Sequence, residues 1–227
     1  QIYQEFPSTP EEAFMVEIEG AFYGSHVGKA RAEGRVTKVP YDDSIPVYTF
    51  WDLGLDMTSV WFVQFSGREV RFIEYYENSD TNIKHFIKYV DRFEIKHDCV
   101  WATHFMPHDG TRKSVASDKN VVKMFIDMGL KAVRLENTFG LMAGIEAVKQ
   151  LFGRFVFDAK QCERGIEVLE CYHQKWNDKM NCFTGEPVHD WASHGSDAMR
   201  YLAVGLNELD TRQTAPQRVA ENEYRIL

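Results

Sequence analysis

From Val47 onward the chain alternates apolar and polar positions in short runs, Val47 to Asp52, Ser59 to Phe65 and Val70 to Tyr76, separated by Gly54-Leu55-Asp56 and Ser66-Gly67. Period-two runs joined by tight connections predict three sequential strands of an antiparallel meander. The rhythm then changes. Ile83, Phe86, Ile87 and Val90 recur at helical spacing, Cys99 to Phe105 reads as a buried strand, and Val121, Val122, Phe125 and Ile126 mark a second helix that Gly129 ends. Lys131 to Leu135 predicts a short strand, Leu141 to Leu151 and Gln161 to Trp176 predict helices, and Ser193 to Leu206 predicts a last helix capped by Ser193.

Three antiparallel strands followed by two crossover units give an α/β fold, with a five-stranded mixed sheet made of the meander plus two parallel strands and with helices on both faces. That order of elements is the order of ribonuclease H-like folds. Residues 1–40 read as a lead-in, where Thr9-Pro10-Glu11-Glu12 has the form of a helix N-terminus, and the turn-rich stretch Pro40 to Pro46 closes it off. Residues 41–206 form the expected domain, and residues 207–227 a polar tail.

The 227 residues are 44% hydrophobic and 14% aromatic, enough for one substantial core. Twenty-six basic against 34 acidic residues leave a net charge of −8. That balance excludes a domain that grips nucleic acid through its overall charge, so any role on DNA requires local basic patches or a partner. No apolar run reaches the roughly 20 residues that span a bilayer, and no leader follows Gln1, so neither membrane insertion nor secretion is expected. Cys99, Cys162, Cys171 and Cys182 lack Cys-x-x-Cys spacing and read as reduced thiols of a cytosolic protein. The gaps among Cys162, Cys171, His173, Cys182 and His189 fit none of the usual structural zinc patterns.

The chemistry lies in acids set against the apolar pattern. Asp52 ends the apolar strand Tyr48-Thr49-Phe50-Trp51-Asp52, Asp109 follows the strand expected beside it, and Asp197 shares a helix face with His194, Ala198, Tyr201 and Leu202. Taken singly, Asp52 and Asp109 each have the form of a turn residue near a glycine. Taken together, three acids at one sheet edge repel unless something neutralises them. Hard oxygen donors with at most one His suit Mg²⁺ or Mn²⁺ better than zinc. Two such ions roughly 3.5 to 4 Å apart serve phosphodiester hydrolysis. Asp56 reads as a solvated turn residue and His104 and His108 as structural. Glu74 is expected on the same side of its strand as Phe72 and Tyr76, within reach of a supporting role. Arg112, Lys113 and Lys119 are the basic groups nearest Asp109 and the candidates for DNA contact, against the plainer reading of a solvated loop.

The chain resembles the C-terminal nuclease domain of the large terminase subunit of tailed double-stranded DNA bacteriophages. The resemblance rests on Tyr3-Gln4-Glu5-Phe6-Pro7, Trp51-Asp52-Leu53-Gly54, Tyr75-Tyr76-Glu77-Asn78, Pro107-His108-Asp109-Gly110 and, most specifically, His189-Asp190-Trp191-Ala192-Ser193-His194-Gly195-Ser196-Asp197-Ala198-Met199-Arg200-Tyr201. It implies a metal-dependent endonuclease in which Asp52, Asp109 and Asp197 hold Mg or Mn, two ions in all, with His194 as a further ligand. It also implies work on concatemeric DNA in the host cytoplasm, at the procapsid portal vertex, with a terminase ATPase domain, the portal protein and the small terminase subunit as partners. The Gly-rich phosphate loop of such an ATPase is absent from these 227 residues. The competing readings are another ribonuclease H-like nuclease, such as a resolvase or transposase core, and a non-catalytic portal or capsid docking domain.

Overall fold

The structure, a computed structural model, describes residues 18–54, 56–79, 82–107, 121–135 and 140–214. Its centre is a seven-stranded sheet. In chain order the strands are β1 (Val36–Thr37), β2 (Val47–Leu53), β3 (Met57–Ser66), β4 (Glu69–Ser79), β5 (Trp101–Met106), β6 (Ala132–Arg134) and β7 (Phe155–Asp158), and side by side they run β1-β7-β4-β3-β2-β5-β6. β3 is antiparallel to β2 and β4, and every other neighbouring pair is parallel. All strands except β3 therefore end at the same edge of the sheet. The helices among the described residues are α1 (Gly24–Ala32), α2 (Ile83–His97), α3 (Val121–Asp127), α4 (Leu141–Leu151), α5 (Glu163–Cys171) and α6 (Ser193–Thr214). A separate hairpin pairs β8 (Gln174–Asn177) with β9 (Cys182–Pro187). None of the described helices is long and apolar enough to cross a membrane.

The meander, the parallel strands after it and the helices on both faces are as the sequence predicts, but the sheet has seven strands and not five. The two extra strands extend it beyond β4. β7 holds the apolar run Phe155-Val156-Phe157 and pairs with β4, and the two-residue β1 pairs with β7. Strands of two and four residues are too short to show a period, and their partners lie far away in sequence. The helix expected over 161–176 stops at Cys171, because Phe22 N–H donates to Tyr172 O at 2.8 Å and Gln174 N–H to Gly20 O at 3.0 Å, drawing the chain into extended form. Through these bonds the segment before α1 joins the domain, and Phe22, Tyr23, Val27 and Ala30 are buried in the core shared with α4, α5 and α6. At the other end α6 continues past Leu206 to Thr214. Ser193 is its first residue but does not cap it in the expected way. Its hydroxyl accepts from Asp190 N–H at 2.9 Å and donates to Val188 O at 3.1 Å, which secures the turn leading into the helix.

Strand alternation divides the apolar side chains between two cores. Phe50, Trp61, Val63, Phe72, Tyr75 and Phe105 face α1, α4, α5 and α6. Trp51, Val60, Phe62, Ile73 and Met106 face α2 and α3. The β3–β4 register slips between Phe62↔Glu74 and Val63↔Phe72, so Ile73 is the extra residue of a bulge. This slip corrects the expectation for Glu74. Glu74 lies with Tyr76 on the α2 side, where Tyr89 Oη donates to it and Lys96 Nζ stands 3.9 Å away, while Phe72 is on the opposite face. Beyond the bulge, Tyr75 and Glu77 are brought to the α6 side.

Candidate active site

Asp52 is the penultimate residue of β2, at the edge where the parallel strands end. Its carboxylate faces α6, and His194 Nδ1 donates to Oδ2 at 2.9 Å. The other ring nitrogen, His194 Nε2, lies 3.3 Å from Asp56 Oδ1 in the β2–β3 turn. An imidazole with a carboxylate at each nitrogen satisfies both only as the imidazolium. The bond to Asp52, together with the charges of Asp52 and Asp56, holds the His194 pKa above its ordinary value against the opposing effect of burial. The imidazolium thus supplies positive charge to two carboxylates. Asp56, a solvated turn residue by its place in the sequence, is exposed but belongs to this group. Gly54 makes the approach possible, since a Cβ there would lie 2.6 Å from His194 Cε1 and 2.4 Å from Met57 O.

Asp197 lies one turn further along α6, partly exposed, and accepts from Arg200 Nε at 2.9 Å. Arg200 is itself largely buried against α4, its Cδ 3.2 Å from where a Cβ on Gly144 would be. One helix therefore carries a cation for each of two acids, His194 for Asp52 and Arg200 for Asp197.

A further acid stands beside Asp52: Glu77, which the sequence marks only as part of the segment Tyr75-Tyr76-Glu77-Asn78 and not by any role. β3 pairs Asp52 with Ser59 on one side and Ser59 with Glu77 on the other, so Asp52, Ser59 and Glu77 form one row across three strands. Glu77 accepts from Tyr75 Oη and, at 2.8 Å, from Arg164 Nε of α5. The period of β4 could have set Glu77 beside Asp52, but the bulge at Ile73 breaks that period. The same group locates α6. Trp61 Nε1 donates to Gly195 O at 2.9 Å, and a Cβ on Gly195 would lie 2.4 Å from Tyr75 Oη.

Asp109 lies outside the described residues, as do His108, Arg112, Lys113 and Lys119. β5 runs parallel to β2 with Phe105 beside Phe50, and the described chain ends there at Pro107, two residues before Asp109. Among the described residues no group of three or more His, Cys, Asp or Glu side chains is arranged to hold a metal ion. By chemistry, the donors at hand, Asp52 and Asp56 around His194 and Asp197 on the same helix, are carboxylate oxygens with one imidazole, a donor type that suits Mg²⁺ or Mn²⁺ and not a thiolate-preferring metal.

No protein-family model matches the sequence, and no curated protein matches it. Solved structures do. The large terminase of a thermophilic bacteriophage superposes with a TM-score of 0.58 at 17% identity, covering 76% of this chain and 42% of that one. The nuclease domain of the P22 large terminase gives 0.56 at 16% identity, covering 75% and 86%. The large terminase nuclease of the thermophilic phage G20c, with bound magnesium, gives 0.52 at 8% identity, covering 82% and 97%. The chain thus spans about two fifths of the first of these proteins, and it has the ribonuclease H-like fold of large-terminase nuclease domains.

Proposed function

We propose that this chain is the nuclease part of a phage large terminase and hydrolyses phosphodiester bonds of double-stranded DNA with the help of Mg²⁺ or Mn²⁺. The observation that carries the reading is the placement of Asp52 in a terminase-nuclease fold, at the common end of the parallel strands and beneath α6, where His194 of that helix is bonded to it. Asp52, Asp109 and Asp197 are the proposed catalytic ligands, with His194 as a proposed further one once it gives up a ring proton, since the imidazolium has no free lone pair. Two divalent ions held there would activate a water and stabilise the departing 3′ oxygen. The chain's own part is positional. His194 orients the Asp52 carboxylate, Arg200 orients Asp197, and the contacts of Gly195 with Trp61 and Tyr75 set the height of the helix that carries both partners. Arg112, Lys113 and Lys119 are the proposed phosphate contacts, and in the assembled motor the proposed partners are an ATPase domain, the portal protein and the small terminase subunit, at the portal vertex in the host cytoplasm.

Conversion of supercoiled plasmid to nicked and linear forms tests this reading. Wild-type chain should nick in Mn²⁺ or Mg²⁺ and not in EDTA, and Asp52→Asn, Asp109→Asn or Asp197→Asn should each reduce nicking by roughly 100-fold or more, on the order of the several kcal/mol a metal-held transition state represents. Full activity in Asp197→Asn would remove that residue from the site. Replacing Arg112 and Lys113 together by Ala should lower cleavage with little change in melting temperature, and low salt should restore part of it.

A further inference from the structure

Beside His194 lies a cavity of about 350 Å³ whose lining includes Asp56, Ser79, His189, Asp190, Trp191 and His194. Three of these are aromatic rings. His189 and His194 meet edge to face at 5.6 Å, and Trp191 is 37% exposed, a large share for the most apolar residue with a ring on the cavity wall. Trp191 is also held in place, with the Arg164 guanidinium 4.2 Å over its ring. Arg164 is in turn fixed by Glu77 at 2.8 Å and Glu167 at 2.7 Å. With two carboxylates on it, this guanidinium offers little net charge to a phosphate, so the group presents a flat, anchored ring.

The polar lining has a definite sense. Asp56 and Asp190 are hydrogen-bond acceptors, and they repel phosphate. A wall of flat rings edged by acceptors complements a planar ligand with an exocyclic amino group on its rim, as in cytosine, adenine or guanine, better than thymine, whose single N3–H lies between two carbonyl oxygens that the carboxylates would repel. Stacking on an aromatic side chain is how single-stranded nucleic acid is commonly held. Removing a base from the duplex costs a few kcal/mol, and least where pairing is already broken.

We propose that this cavity captures one unstacked, amino-bearing nucleobase of DNA beside the bond presented to Asp52, with Trp191 as the stacking platform. The inference deepens the nuclease reading and rests on it. It makes the domain a better ligand for gapped or single-stranded DNA than for intact duplex.

The test uses the full 227-residue chain in EDTA, so that binding is read without cleavage. Fluorescence anisotropy with end-labelled single-stranded oligodeoxycytidine, oligothymidine and an intact duplex should rank them in that order of affinity, cytidine first by several-fold. Trp191→Ala should weaken oligodeoxycytidine binding about 5- to 150-fold, the worth of one stacked base, and Trp191→Phe should restore most of it. A second reading needs no variant, because an oligonucleotide carrying one 2-aminopurine should change its emission on binding wild-type chain as that base enters the cavity. Equal affinity of wild type and Trp191→Ala, equal affinity for the two oligonucleotides, or unchanged 2-aminopurine emission would each overturn the proposal. Plasmid nicking in Mn²⁺ separates the two ideas. A chain that nicks but binds independently of Trp191 loses the base site, whereas one that binds through Trp191 but never nicks loses the nuclease reading.

Discussion

His104 and His194 are two buried imidazoles with opposite consequences. His104 on β5 has no exposed surface, and its Nδ1 meets Thr49 Oγ1 at 2.7 Å. Thr49 Oγ1 accepts from Trp51 Nε1 at 2.6 Å and has one proton to give; given to Nδ1, it pairs with a neutral His104 protonated on Nε2. Among the described residues Nε2 has no hydrogen-bond partner, and burial pushes the pKa down to about 3. The unfolded chain takes up this proton near the ordinary value of about 6.5. The folded state is therefore favoured above that value and loses ground as pH falls from there toward 3, by about 1.4 kcal/mol per pH unit. Urea unfolding at about pH 7.5 and about pH 5 should show a loss of about 2 kcal/mol from this source, and His104→Gln should show a shallower pH dependence. An identical dependence in both proteins would mean that His104 is not neutral in the fold. His194 has the opposite sign. Held above its ordinary pKa by Asp52, it contributes stability that is complete below about 6.5 and is lost as pH rises through its raised value. Asp52 and His194 are both legible in the sequence, one as an acid ending an apolar strand and the other by helical spacing from Asp197. Their bond to each other is not, because no local pattern records a contact across 142 positions.

The site depends on how closely α6 approaches the sheet, and Gly195 sets that distance. A Cβ there would stand 2.4 Å from Tyr75 Oη and 2.8 Å from Val168 Cγ1. The Tyr75 hydroxyl cannot yield easily because it is bonded to Glu77, and the helix cannot lift easily because Trp61 holds the Gly195 carbonyl. Gly195→Ala should therefore cost about 1–3 kcal/mol and lower nicking by displacing His194 and Asp197 together. Gly153→Ala, at a position with nothing among the described residues within 4 Å of the new methyl, should be neutral or slightly stabilising. Equal melting temperatures for the two variants would show that α6 is not held at this contact. The elements that control the site differ in how plainly the sequence marks them. α2, α4, α6 and the strands β2 to β5 are long enough to display a period. β1 and β7 are not, and they exist because β4 offers an edge to pair with. The bulge at Ile73 reverses the facing of the end of β4, which is why simple alternation puts Glu74 on the wrong side and why counting residues cannot match Glu77 to Asp52.

At the scale of the whole molecule the governing quantity is a net charge of −8 together with a single sheet edge that collects acids. Asp52, Asp56 and Glu77 lie there with His194 and Arg164 as internal counter-charges, and Asp197 on α6 has its own in Arg200. A cation that binds this edge only in the folded state must stabilise the fold by mass action, by about 2.7 kcal/mol at roughly one hundred times its dissociation constant. In a chain of this size each kcal/mol raises the melting temperature by about 2–4 °C. Saturating Mn²⁺ should then raise it by about 5–10 °C at low ionic strength, with Mg²⁺ acting in the same direction. Asp52→Asn should abolish most of this rise and also loosen His194, whose imidazolium loses its nearer carboxylate. A general effect of divalent cations on an acidic surface would look different, because it would persist in Asp52→Asn and fade as NaCl screens it. Thermal melts of wild type and Asp52→Asn in EDTA, Mg²⁺ and Mn²⁺, each at low and high NaCl, separate the two. A specific site keeps the wild-type shift at high salt and shows little in the variant, and equal shifts in the two proteins would leave the acids at this edge without a role in binding metal.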